Sequence, residues 1–121
     1  SYTRFAYSSL KLSHTRISDK DSFTASIELT NVGDREGTEV VQLYIRDIYS
    51  SATRPVKELK DFARVTLKPG EKKTVTFTVT PDKLAYWNRN MQYGVEKGEF
   101  EIMIGSSSQD KDLKKVKMEV L

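Results

Sequence analysis

The sequence predicts an all-β protein, a single antiparallel β-sandwich domain over residues 1–121, and three observations predict it. Apolar and polar residues alternate strictly in several stretches, as they do in strands with one face in a core and the other in water, because successive strand side chains point to opposite faces. Gly and Pro-Gly positions separate those stretches. No stretch of ~12 residues or more keeps the helical period, so helix content is expected to be small. A chain of 121 residues fits one domain and can bury roughly two thirds of its unfolded surface.

Near the start, Phe5 and Tyr7, then Leu10 and Leu12, predict a first strand. Phe23, Ala25, Ile27 and Leu29 alternate with Thr24, Ser26, Glu28 and Thr30, one core face and one wet face. From Thr38 to Arg46, Val41, Leu43 and Ile45 lie on one side and Val40, Gln42 and Tyr44 on the other, which predicts a central strand partly covered on both faces. Leu59 to Leu67 reads as a short edge strand. Val75, Phe77 and Val79 alternate with Thr74, Thr76, Thr78 and Thr80, β-branched residues suited to a pleated solvent face. Phe100, Ile102 and Ile104 alternate with Glu99, Glu101 and Met103, and Val116, Met118 and Val120 with Lys115, Lys117 and Glu119. The total is about seven strands, the number an immunoglobulin-like or fibronectin-like sandwich requires.

Turn chemistry falls between these strands. Pro69-Gly70 presets one φ near −65° and then supplies a positive one, as a type II turn demands. Gly33 and Gly37 bracket one connection, and Lys97-Gly98 precedes the Phe100 strand. Pro81 to Leu84 predicts one helical turn with Thr80 as its cap. There is no internal repeat, no low-complexity segment and no linker, only a Ser-rich loop at Ser106 to Ser108.

Composition narrows the function classes. Twenty Lys plus Arg against 17 Asp plus Glu leave a net charge of +3, too small and scattered for a nucleic-acid footprint. The absence of cysteine removes disulfides and thiolate sites without fixing a compartment. No apolar run approaches the ~20 residues of a membrane span, and no basic segment followed by an apolar one opens the chain. Neither membrane nor export signal is therefore expected. A start at Ser1 rather than Met, inside sequence that already reads as structured, suggests a fragment of a larger protein with any targeting information upstream.

The residues that could carry chemistry are few. The only histidine, His14, lies in a polar stretch without a Gly-x-Ser-x-Gly signal, so it reads as a solvated loop residue rather than a general base. One histidine and no cysteine cannot supply a usual zinc set, and no metal or cofactor is expected. Glu99 and Glu101 stand roughly 7 Å apart by strand rise, within the range of a glycosidase carboxyl pair. Their face, however, should place them in water beside lysines, ordinarily ionised, whereas a general acid needs a raised pKa. Tyr86-Trp87, followed by Tyr93 in a long loop, is the most aromatic non-strand segment: either a stacking platform for sugar rings, or rings that fold back over the end of the sandwich. Tyr49 carries the same two readings. Lys111, Lys114, Lys115 and Lys117 are interrupted by Asp110, Asp112 and Glu119 and read as a solvated edge that discourages strand pairing rather than a phosphate patch.

Four segments resemble one family. Ser1-Tyr2-Thr3-Arg4-Phe5-Ala6-Tyr7-Ser8, then Thr30-Asn31-Val32-Gly33-Asp34-Arg35-Glu36-Gly37-Thr38-Glu39-Val40-Val41-Gln42-Leu43-Tyr44, then Ser51-Ala52-Thr53-Arg54-Pro55-Val56-Lys57-Glu58-Leu59-Lys60, and finally Leu67-Lys68-Pro69-Gly70-Glu71 with Gly98-Glu99-Phe100 through Gly105-Ser106-Ser107 follow one another in order. Together they are similar to the fibronectin type III-like domain that closes the C-terminal end of family 3 glycoside hydrolases, the β-glucosidases and β-xylosidases. The third segment is the most diagnostic. The sequence departs from the family pattern at Asp61, where glycine is expected, and at Ile48 and Lys97, where proline is frequent.

The resemblance implies a seven-stranded antiparallel immunoglobulin/fibronectin type III-like β-sandwich. It implies a parent that removes glucose or a related sugar from β-linked oligosaccharides, with an Asp nucleophile and a Glu acid/base in upstream domains. No catalytic residue carries over to this chain. The expected partners are the catalytic domains of the same polypeptide, and the expected setting of the parent is secreted or periplasmic. Arg54, with five donors in a planar fork, would pin a neighbouring domain, Pro55 would fix the approach, and Lys57 and Leu59 would continue the contact; alternatively Arg54 braces its own loop. A non-catalytic accessory domain is the leading reading. A polysaccharide-binding module using Tyr49, Tyr86 or Trp87, and a free-standing adhesion or protein-interaction domain, are the alternatives.

Overall fold

Two sheets face each other across the core of the computed structural model, which describes residues 3–48, 57–87 and 93–121. In chain order the elements are β1 (Phe5–Tyr7), β2 (Lys11–Leu12), β3 (Arg16–Ile17), β4 (Phe23–Asn31), β5 (Gly37–Asp47), β6 (Glu58–Leu67), β7 (Lys72–Val79), α1 (Pro81–Leu84), β8 (Tyr86–Trp87), β9 (Tyr93–Gly94), β10 (Gly98–Gly105) and β11 (Leu113–Val120), with a single 3-10 turn at Asp110–Asp112. In the first sheet β4 is central, with β7 on one side and β1 and β2 on the other. The second runs β3-β11-β10-β5-β6, and all its pairings are antiparallel except β3 with β11.

The alternation places the core as expected. Ala25, Ile27, Leu29, Phe77 and Val79 of the first sheet are buried, as are Val41, Leu43, Ile45, Phe100, Ile102, Ile104, Met118 and Val120 of the second. All belong to one apolar cluster between the sheets, the arrangement of a β-sandwich.

The first strand differs from the expectation. Instead of one strand over Phe5 to Leu12 there are two short pieces, β1 and β2, followed by an unexpected third, β3, and the serines between them explain the breaks. Ser8 donates its N–H to the Glu28 carbonyl at 2.9 Å while its hydroxyl accepts from the Glu28 N–H at 2.8 Å. Ser13 treats Thr24 in the same way, at 2.9 and 2.8 Å. A side-chain oxygen thus replaces the backbone carbonyl in the ladder and ends regular pairing. The chain then leaves β4 and adds β3 to the far edge of the other sheet. Counted as one interrupted strand, β1 to β3 join the six long strands to make seven, and where the sequence predicts only loop, β8 and β9 pair antiparallel in a small separate sheet.

The turns follow the sequence with one correction. Gly70 has φ +78°, and Glu71 N–H bonds the Lys68 carbonyl at 3.0 Å to close the Pro69-Gly70 turn. Helix α1 forms at Pro81, but Thr80 makes no side-chain cap; its carbonyl instead accepts from Lys83 N–H at 3.0 Å.

A buried polar knot fixes the connection between the sheets. Asn31 continues the inward phase of Phe23 to Leu29 and is fully buried. Its amide donates to the carbonyls of Arg35 at 2.7 Å and Leu67 at 2.9 Å, and its side-chain oxygen accepts from Gly33 N–H at 3.0 Å and the Thr3 hydroxyl at 2.9 Å. All four bonding positions of the amide are filled, tying the start of the chain to β4, to the β4–β5 loop and to the end of β6. A Cβ on Gly33 would meet the Thr3 hydroxyl at 1.9 Å, so only glycine allows this approach.

Candidate docking surface

The segment singled out as a docking loop leads into β6, an edge strand as expected. Arg54, Pro55 and Tyr49 lie outside the described residues, as do the side chains of Tyr86 and Trp87. Lys57 and Leu59 are described and stand at the start of the strand.

Leu59 faces outward because the ladder slips. Along β6, Asp61, Ala63, Val65 and Leu67 pair with Leu43, Val41, Glu39 and Gly37 in the inward phase. Plain alternation would put Leu59 in that phase too. A β-bulge between Leu43 and Tyr44 leaves Lys60 without a register partner and sets Leu59 opposite Tyr44 in the outward phase. Leu59 is thereby 51% exposed, and Phe62, opposite Gln42 on the same face, is 58% exposed.

Behind these two residues the outward face is apolar and covered. Leu59, Tyr44, Met103 and Lys115 stand in one cross-strand row over β6, β5, β10 and β11. Tyr44, Met103 and Leu113 form a second buried cluster, separate from the main core, in which Met103 is only 1% exposed. The Tyr44 hydroxyl donates to the Gln42 side-chain oxygen, and the Gln42 amide donates to the Ser106 carbonyl at 2.9 Å. The predicted covering of both faces of β5 is therefore present.

Charged pairs border this patch. Asp110 accepts from Lys57 at 3.0 Å and from Lys115 at 3.2 Å, joining the lead-in to β6 with β11. Those two hydrogen bonds, Lys57 first, hold the Asp110 carboxyl below the usual aspartate value. Asp61, the departure from the family glycine, pairs with Lys83 of α1 at 2.9 Å. Lys83 also donates to the Thr78 carbonyl at 2.6 Å, so Asp61 helps tie α1 to β6 and β7.

The remaining candidates separate. Glu101 has Lys117 across from it on β11 but does not stand in water: it is 8% exposed and bonded to Arg46 at 2.7 Å. Its face is covered by the Tyr44 and Met103 neighbours, and a guanidinium in register across β5 serves it in place of solvent. His14 is exposed, with its Nδ1 3.1 Å from the Ser13 hydroxyl. Lys111, Lys114, Lys115 and Lys117 are exposed. Their strand is an edge for most of its length, since β3 covers only Glu119 and Val120. Among the described residues no three His, Cys, Asp or Glu side chains group to hold a metal, and no helix is long and apolar enough to cross a membrane.

Comparison with known proteins places this geometry among relatives. Residues 39–108 match the model of the fibronectin type III-like domain, Fn3-like. The chain is 46% identical over 108 residues to a periplasmic β-glucosidase of Salmonella typhimurium, covering 89% of this chain and 14% of that protein. It is 48% identical over 120 residues to a β-xylosidase of Formosa agariphila, covering 99% and 17%. The crystal structure of a β-glucosidase from Listeria innocua in complex with glucose superposes with a TM-score of 0.89 at 34% identity, over 98% of this chain and 16% of that one. The chain thus spans about a sixth of the length of the proteins it matches.

Proposed function

The chain belongs to the fibronectin type III-like domains, and from that premise we propose that it is the non-catalytic accessory domain of a family 3 β-glucosidase-like glycoside hydrolase, packing on and stabilising the catalytic domains of the same polypeptide. The observation that carries the reading is the outward pair Leu59 and Phe62, exposed beside a buried apolar cluster a few residues after Arg54 and Pro55 in the sequence. Two large apolar side chains on one edge strand cost free energy in water and gain it when a partner covers them. Arg54 supplies the directional hydrogen bonds to that partner and Pro55 fixes the approach, while Lys57, held by Asp110, borders the contact. Hydrolysis of O-glycosyl bonds belongs to the rest of the parent, a reading supported by the β-glucosidase and β-xylosidase relatives. A secreted or periplasmic parent is supported by the periplasmic relative.

The test is Arg54→Ala in the full-length parent and in this chain alone. The thermal midpoint of the parent should fall while that of the isolated domain stays unchanged, and the isolated domain should not hydrolyse aryl-glucosides. Equal midpoints for the two parents would remove the docking role. Saturable quenching of tryptophan fluorescence by xylan or cellulose oligomers, lost on Trp87→Ala, would replace it with the sugar-binding module.

A further inference from the structure

A cleft of about 260 Å3 opens beside β1, walled by Phe5 and Tyr7, by Glu39 near the start of β5, and by Lys111, Asp112 and Lys114 where the chain turns into β11. Nothing in the docking reading uses it. Its volume is below the ~300–1,000 Å3 of drug-sized pockets, room for one small ring.

Glu39 is the unusual member of this wall. It faces inward between the sheets, where burial pushes its carboxyl above the usual glutamate value. The Tyr7 hydroxyl donates to it at 3.1 Å. The Val40 N–H also serves this carboxyl, yet the two bonds do not offset the cost of burial. A carboxylate in that position gains from a second hydroxyl donor.

The other groups decide the class of donor. A cation or metal would meet the Lys111 and Lys114 ammoniums, and an anion would meet Glu39 and Asp112. A wholly apolar molecule would dry the Glu39 carboxylate further without adding a donor. A neutral molecule carrying several hydroxyls on one ring can donate to the two carboxylates, accept from the two ammoniums and lay its C–H face on Phe5 or Tyr7. We propose that this cleft is a binding site for a neutral cyclic polyol, with Glu39 and Asp112 as acceptors and Lys114 as a donor. The proposal stands apart from the docking reading and from the aromatic segment at Tyr86 and Trp87.

Amide NMR titration of this 121-residue chain with D-glucose and myo-inositol tests it, with glucosamine and glucose 6-phosphate as charged counterparts. The expected result is saturable shifts from the two neutral probes, confined to residues 5–7, 39–40, 106 and 111–114. Glu39→Gln and Lys114→Ala should each weaken binding about tenfold, which is ~1.4 kcal/mol. Lys114 is exposed, so its variant keeps the test open if the Glu39 substitution fails to fold. Shifts that rise linearly without saturation, spread over the surface, or are unchanged in both variants would overturn the assignment, as would a preference for either charged probe.

Discussion

On β4 and β7 the outward cross-strand pairs are Thr24 with Thr78, Ser26 with Thr76 and Glu28 with Thr74. On the other sheet the matching row runs Leu59, Tyr44, Met103 and Lys115. The two faces obey the same two-residue period and back onto the same core, yet one offers hydroxyls that water satisfies and the other holds a buried methionine beside two exposed apolar residues. The inward phase of a strand therefore locates the core, and only the outward phase tells which side of the sandwich meets another protein. By that criterion the β4–β7 face is solvent-facing, and the β6–β5–β10–β11 face is the one that the proposed docking role would use.

The sharpest way to break this comparison is to truncate one outward residue on each face. Met103→Ala empties a site as closed as the main core and should cost about 2–4 kcal/mol. Thr76→Ala removes an exposed hydroxyl and should stay within ~0.5 kcal/mol. Denaturant unfolding of the isolated chain measures both. Equal losses would mean that the two faces are alike and that the second cluster contributes nothing of its own.

Much of this contrast could be read from the sequence. The threonine and serine phases of the Phe23 and Val75 strands mark a wet face outright, and Tyr44 marks a covered one on β5, whereas Glu99 and Glu101 make the Met103 phase read as wet. Asn31 was legible too: it extends the parity of Phe23, Ala25, Ile27 and Leu29, and an amide in a core phase must find four partners. Other features had no local signal. Which way Leu59 points depends on a ladder slip opposite Leu43 and Tyr44, a property of the pair of strands rather than of either one. Ser8 and Ser13 end their strands by bonding residues more than ten positions away. Glu101 has Lys117 on one neighbouring strand and Arg46 on the other. Sequence reasoning saw the lysines and missed the arginine, because strand order was unknown. The cleft at Tyr7 and Glu39 needs β1 and β5 brought together from opposite sheets, which no spacing along the chain reveals.

A smaller effect sharpens the comparison on its exposed side. Leu59→Ser with Phe62→Ser should cost the isolated chain only about 1 kcal/mol, since each side chain already leaves more than half of its surface in water. The same pair in the full-length parent should lower the thermal midpoint further, since a larger cooperative unit shifts by only about 2–4 °C or less per ~1 kcal/mol and the lost docking adds to the loss in the isolated chain. Thr74→Ser with Thr78→Ser, on the opposite face, should change neither protein. A parent insensitive to the Leu59 and Phe62 pair would place the interface elsewhere.

The smallest effect is a matter of pH, and two carboxyls should report it in opposite senses. Asp110 is held below its usual value by Lys57 and Lys115. The folded chain therefore binds a proton there less readily than the unfolded one. Its contribution is present above the ordinary aspartate value and is lost as pH falls through the depressed one. Because Asp110 is fully exposed, the effect should also fade toward ~1 M salt, where the screening length is about 3 Å. Glu39 is raised by burial, so the fold favours its protonated form, and stability should decline as pH rises from the ordinary glutamate value through the raised one. Thermal midpoints followed against pH should lose the acid-side decline in Asp110→Asn and the opposite slope in Glu39→Gln. A Glu39→Gln profile parallel to wild type would mean that the carboxyl is solvated after all, and the cleft would then lose the desolvated acceptor on which its polyol chemistry rests.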